Sequence, residues 1–340
     1  MERFIAVDNV CAWPNLTLLP DGTIIATIFN QPTHGGWEGN VECWASEDEG
    51  RTWCLRGIPA PHDPGTNRMN VAVGLARDGA LIVISSGWSN RNEVGNYSNA
   101  HQGKVLTPWV CRSSDGGKTW ERSETMDPLP GDYALIPFGD IVQQTDGNLG
   151  VCIYSSRFTA DGAAKSDHET REDSSHYFVS SDDGKSWNHK ATIQDGNANE
   201  TTPLVLSSGQ LFAAARTREG QRLELFSSDD QGATWAFEGP LSMEQQIPGH
   251  LLQLTDGKLL VSYGLRNKGL CGVATRLSSD EGKTWSAPRV IVNYEESWDG
   301  GYPSSVQMSD GTIVTAYYCK EIPTHQRYHM GVVRWEVEET

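Results

Sequence analysis

The pattern Ser-x-Asp-x-Gly-x-[Ser/Thr]-Trp occurs five times, at residues 46–53, 113–120, 180–187, 228–235 and 278–285. Five copies of five fixed positions make this a repeat protein, and each copy reads as a tight turn between two strands. The Asp can accept hydrogen bonds from the turn's own backbone, the Gly supplies a positive φ, and the Trp is large enough to fill the space between neighbouring sheets. A second repeat is interleaved with the first. Asp-Gly, or once Ser-Gly, interrupts an alternating apolar run at 21–22, 78–79, 146–147, 208–209, 256–257 and 310–311. This is the strongest short-range signal for a β-hairpin.

Six hairpins against five Trp-ended turns need a reason. If each unit is a four-stranded sheet, the Asp-Gly turn joins its first two strands and the Trp-ended turn its last two. The chain stops after one further strand, HMGVVRWEV, so the sixth unit lacks a fourth strand unless the N-terminal RFIAV supplies it. The predicted fold is therefore all-β: a six-bladed β-propeller of four-stranded antiparallel blades, closed by the N-terminal strand, with residues 1–340 as a single domain.

A formal charge of −17 with no Lys or Arg run excludes nucleic acid and anionic membranes as expected partners, because both need a clustered basic face. The seven Cys show neither a C-x-x-C pair nor a Cys/His cluster, so they read as free, mostly buried thiols. No metal site and no cofactor is expected. MERFIAVDNV has no apolar core of the signal-peptide kind. As given, the chain reads as cytoplasmic, or as periplasmic or secreted if a signal was removed.

Both kinds of turn fall on one face of such a ring, and the links into each first strand fall on the other. The spacing of the Trp-ended turns places extra sequence in the second and third units, at 87–104 and 157–175. Long insertions on one face of a repeat scaffold usually shape a binding site. The innermost strands start at Trp13, Asn70, Phe138, Glu200, Pro248 and Tyr302, with Arg68 and His250 two residues away. Rings and polar groups converging on one mouth suit a carbohydrate. His101, His168 and His325 occupy other loops of this face, without metal-ligand spacing.

Two segments, NETTPLVLSSGQLFAAARTREGQR (199–222) and GGYPSSVQMSDGTIVTAYY (300–318), resemble the sialidase superfamily, whose BNR or Asp-box repeats match the Trp-ended turns. The resemblance implies an exo-acting glycoside hydrolase. Tyr302 would be the nucleophile, Glu200 the carboxylate taking its proton, and Arg216 and Arg266 substrate-binding arginines. The pattern departs from the family in two places. An Arg-Ile-Pro expected in the first blade reads Ala12-Trp13-Pro14, which removes one arginine that grips the sialic acid carboxylate. The expected sugar is then terminal, acidic or deoxy, and not sialic acid, with Arg68 in partial compensation. The family's catalytic Asp is also missing from the loop at 31–40, leaving His34 or Glu38 as the acid. Trp13 and Trp37 would stack on the sugar, and Asn70 and His250 would complete the binding set. Two alternatives remain: a lyase or rhamnosidase-like enzyme acting on a rhamnose–uronate linkage through a histidine, and a non-catalytic glycan- or protein-binding propeller.

Overall fold

The structure, a computed structural model, describes residues 1–90, 104–131, 133–157, 173–295 and 297–338. Most of the two insertions, with His101 and His168, lies outside the described residues. The innermost strands are Asn15–Leu18, Asn70–Leu75, Tyr133–Gln143, Ala198–Val205, Gln246–Gln253 and Gly301–Gln307. Each begins a meander of antiparallel strands running outward. The second strands Ile24–Phe29, Leu81–Ser86 and Ile313–Cys319 are buried at every position, because sheets flank them on both faces. They accordingly read as unbroken runs of apolar and small residues. The outer strands Glu121–Ser123 and Ala236–Pro240 are largely exposed.

The arrangement is all-β and propeller-like, and the N-terminal strand closes it. Glu2–Asp8 pairs antiparallel with His329–Trp335, completing a sheet whose other members are Ile313–Cys319 and Gly301–Gln307. The expectation of six separate four-stranded sheets is corrected. Four sheets of four strands stand alone, and the meanders at 70–123 and 133–194 are joined into one eight-stranded sheet. The join is a short parallel pairing of Gly139, Asp140 and Ile141 with Ala72, Val73 and Gly74. Gly74 permits it: a Cβ there would lie 2.2 Å from the Ile141 carbonyl oxygen.

The Trp-ended turns share their Ser and Asp wiring, and in all but the third the indole also bonds the turn's glycine carbonyl. In the first, Ser46 Oγ donates to Asp48 Oδ1 at 2.8 Å, Thr52 N donates to the same oxygen at 2.8 Å, and Trp53 Nε1 donates to the Gly50 carbonyl at 3.1 Å. Four of the indoles pack between two sheets, as predicted, and Trp187 packs between the two meanders of the eight-stranded sheet. Trp53 joins Val306 and Val314 to Leu16 and Ile24. Trp120 packs with Ile25 and Val71, Trp187 with Ile82 and Leu149, Trp235 with Cys152 and Leu211, and Trp285 with Phe212 and Leu259. All seven cysteines are free, and six are buried; Cys54 is exposed.

Hydrogen bonds from Thr and Ser hydroxyls and turn amides hold the Asp230 and Asp280 carboxyls down at about 2, and Asp115 lower still. At Asp48 partial burial works in the opposite direction and is outweighed, leaving it at about 2. Carboxyls depressed in the folded state contribute stability that is complete above their unfolded pKa, roughly 4, and withdrawn as pH falls toward the folded value. The urea midpoint should therefore fall steadily between about pH 4.5 and 2.5. A variant with Asp230 and Asp280 changed to Asn should show a shallower fall. A midpoint flat across that window in the wild type contradicts the wiring.

Candidate active site

Tyr302 stands near the start of the innermost strand of the closing sheet, just after a backbone crowding that only glycine accommodates. Gly301 has φ 105°, and a Cβ on it would lie 3.1 Å from Gly264 Cα of the neighbouring sheet. Tyr302 itself is left-handed, φ 53°, a region that costs a residue with a Cβ about 1–2 kcal/mol. Such strain clusters where a side chain must be held in one direction. The phenol donates to Glu200 Oε1 at 2.7 Å and accepts from Arg216 Nη1 at 3.0 Å. Arg216 Nη1 also donates to Glu200 Oε2, so three groups from two sheets close a hydrogen-bonded ring. Glu200 lies on the strand Ala198–Val205 and Arg216 on its partner Leu211–Thr217.

The electrostatics keep this ring in a resting state. Burial, joined by the Glu200 charge, raises the Tyr302 phenol well above its ordinary value, against the pull of Arg216 and Arg266. The phenol is therefore neutral until something takes its proton, and Glu200 is the acceptor already in place. Burial would lower the Arg216 guanidinium, but Glu200 and Tyr302 more than offset it.

His34 approaches from the first blade's upper loop. Its Nε2 bonds Asp299 Oδ1 at 2.9 Å. Asp299 is 8% exposed and also accepts from Tyr318 OH at 3.1 Å and from Tyr328 OH, with Lys320 Nζ at 3.5 Å. Burial would raise its carboxyl, yet His34 and the two tyrosine hydroxyls hold it well below the usual carboxylate range. The His34 ring lies 6.2 Å from that of Trp13 and 5.8 Å from that of Tyr318. The Tyr302 ring lies 5.2 Å and 5.7 Å from the same two.

These groups line a cleft of about 670 Å³ that also takes in Asn70, Trp88, Asp173, Arg218, Arg266 and Trp298. Asp173 is fully buried and paired with Arg218 at 2.9 Å. The Arg266 guanidinium sits 5.6 Å from the Tyr302 ring centroid. Among the described residues no carboxylate pairs with it, and its one hydrogen bond is to the Gly300 carbonyl at 3.4 Å. Trp298 is 67% exposed at the mouth. Among the described residues no three His, Cys, Asp or Glu side chains gather as metal ligands.

Seven of the residues singled out from sequence thus meet in the cleft: Trp13, His34, Asn70, Glu200, Arg216, Arg266 and Tyr302. Four do not. Arg68 is buried away from it, bonding the Thr107 and Ser85 carbonyls and stacking 3.7 Å over Trp109. Burial pushes it down to about 10, and it does not replace the missing arginine at Ala12, which is itself fully buried. His250 lies below the cleft against a small axial cavity, its Nε2 2.9 Å from Asp140 Oδ2. Glu38 faces His62 at 3.8 Å, and Trp37 is 55% exposed outside the cleft. Sequence reasoning missed Asp299, Asp173, Arg218 and Trp298. The only signal was adjacency: Trp298 and Asp299 precede Tyr302 closely, and Arg218 follows Arg216 by two residues, just past the end of its strand.

The fold agrees with known structures over nearly the whole chain. A protein of unknown function from Dyadobacter fermentans is 22% identical, with a TM-score of 0.82 over 99% of this chain and 98% of that one. The Hadza microbial sialidase Hz136 is 17% identical, TM-score 0.70, over 96% of this chain and 66% of that one. The intramolecular trans-sialidase from Ruminococcus gnavus is 15% identical, TM-score 0.69, over 98% and 96%. No sequence among curated proteins matches. The repeat-family description "BNR repeat-like domain" matches residues 58–315, a span holding four of the five Trp-ended turns together with Glu200, Arg216 and Tyr302. The chain belongs to the BNR repeat-like domain family.

Proposed function

We propose that this protein is an exo-acting glycoside hydrolase that removes a terminal acidic or deoxy sugar by way of Tyr302. The observation that carries this reading is the ring of Tyr302, Glu200 and Arg216 facing the cleft. A buried phenol bonded to a carboxylate is a nucleophile with its base attached, and a tyrosine nucleophile is an attested exception among glycosidases. Glu200 takes the phenolic proton as the oxygen attacks the anomeric carbon, and His34 protonates the departing oxygen. Arg266, with no carboxylate partner among the described residues, is placed to receive an anionic substituent. With Ala12 in place of an arginine, that grip is narrower than the one sialic acid would meet. In this reading the eight-stranded sheet counts as two blades, giving a six-bladed ring and one domain over 1–340. Fold likeness to sialidases supports the reaction class and not the sugar.

A second reading is favoured by the His34–Asp299 pair. A histidine held by a carboxylate is also a suitable base for β-elimination at a uronate. The two separate in one experiment, in which a panel of acidic and neutral oligosaccharides is incubated with the protein and the products are weighed by mass spectrometry. Products carrying added water establish the hydrolase and identify the sugar. An unsaturated uronate end establishes the lyase. Saturable binding to the same glycans without turnover would overturn both and leave a binding propeller.

A further inference from the structure

The cleft holds a second polar assembly that the nucleophile ring does not explain. Asp299 gathers one imidazole, two phenols and an ammonium around a nearly buried carboxylate. A carboxylate built only to bridge strands has no need of a half-exposed histidine at the cleft wall. We infer that Asp299 is a positioning residue that fixes His34 so that its Nδ1 atom gives and takes the proton of the leaving-group oxygen. This rests on the hydrolase reading above.

Donors and acceptors around Asp299 decide which nitrogen of His34 carries the hydrogen. An ionised carboxylate offers only lone pairs, so the ring nitrogen bonded to it must carry hydrogen. Here that nitrogen is Nε2. The groups facing Asp299 are the donors His34, Tyr318, Tyr328 and Lys320, with the buried thiol Cys11 close by. They hold it ionised. Nε2–H is thereby spoken for, and Nδ1 is the nitrogen left for chemistry. It has no hydrogen-bond partner among the described residues, and the side chain is 32% exposed in the cleft wall. The ring is clamped edge-on by Trp13, Tyr318 and Tyr328, which leaves it little freedom to turn over.

The proton bookkeeping closes. In the first step Tyr302 oxygen bonds to the anomeric carbon and its proton passes to Glu200. The bond from that carbon to the leaving oxygen breaks, and the leaving oxygen takes the Nδ1 proton of the imidazolium. The ring is now neutral, with hydrogen kept on Nε2 by Asp299 and a lone pair on Nδ1. In the second step Nδ1 removes a proton from water as the water oxygen bonds to the anomeric carbon. The phenolate leaves and recovers its proton from Glu200. Net, one water is consumed and both residues return to their starting states.

The test uses the sugar identified by the oligosaccharide panel, attached either to another sugar or to dinitrophenol. A sugar alkoxide needs protonation as it leaves and a dinitrophenolate does not. Asp299→Asn should lower kcat/KM, which reports the first step, by roughly 10²–10⁴-fold on the glycan and by less than about 10-fold on the dinitrophenyl glycoside. Equal losses on both would overturn the proposal while leaving the hydrolase in place, whereas no turnover of either by the wild type would sink the hydrolase reading itself. A second measurement does not depend on activity or on any variant folding. The ¹⁵N spectrum of His34 in the intact protein, at a pH where the ring is neutral, should show the Nε2–H tautomer. The Nδ1–H tautomer would overturn the assignment.

Discussion

Tyr302→Phe is expected to lower kcat by roughly 10³-fold or more, the scale on which loss of a nucleophile is felt. That corresponds to about 4 kcal/mol of transition-state stabilisation. The substitution removes one oxygen and leaves the ring in its packing between Trp13, Tyr318 and Phe138. Arg216 and Glu200 each lose one hydrogen bond but keep the one between them, so the stability loss should be no more than about 1–3 kcal/mol. A folded and inactive variant is thus the expected outcome, checked by kcat beside a urea midpoint. Glu200→Gln should resemble it in kcat, because an amide does not take the phenolic proton. A covalent sugar on the peptide containing Tyr302, trapped by rapid acid quench, would be the direct sign. Turnover unchanged in Tyr302→Phe would remove the phenol from the chemistry and favour the elimination reading.

Trp187→Ala should have the largest effect on stability of the five Trp-ended turns. Trp187 is fully exposed to no solvent, at 0%, and packs among Ile82, Leu149 and Phe178 where the eight-stranded sheet is joined. Its backbone also bonds across to the neighbouring meander, accepting from Asp127 N and donating to the Thr125 carbonyl, both at 2.9 Å. Truncating a buried Trp costs roughly 3–5 kcal/mol, a large share of the about 5–15 kcal/mol that holds a domain folded. The partly exposed Trp235 and Trp285, each still bonded to its own glycine carbonyl, should cost visibly less when truncated. Denaturant midpoints of the three variants decide. Equal costs would mean that the Trp-ended turn acts locally, and that packing between sheets matters less than the burial suggests.

The repeats made most of the fold legible, because each recurring residue has one physical duty in a turn: Asp as acceptor, Gly for positive φ, Trp between sheets. Closure by the N-terminal strand followed from counting hairpins. The fused sheet was not legible, since it depends on Gly74 letting two inner strands touch, and nothing in the repeat marks that glycine. At the site, Glu200 and Tyr302 were found because they hold fixed offsets from hairpins, and Arg216 through the likeness of its segment to sialidases. Arg68 was misplaced for a related reason. Counting along a strand gives height on the axis but not the direction of a long side chain, and Trp109 offered its face. Asp299 escaped because it lies in an irregular link, where no period applies and only the folded loop brings it to His34.

The sheet that carries Tyr302 on its inner strand has Glu2–Asp8 as its outermost. Within this span, then, the first strand made on the ribosome waits for one of the last, His329–Trp335. At about 5–20 residues per second that wait is roughly tens of seconds, during which an exposed strand edge needs protection. Tyr302 takes up its supported position only when both have arrived. Assembly of the cleft around Tyr302 is therefore coupled to a pairing between the two most distant strands of this span.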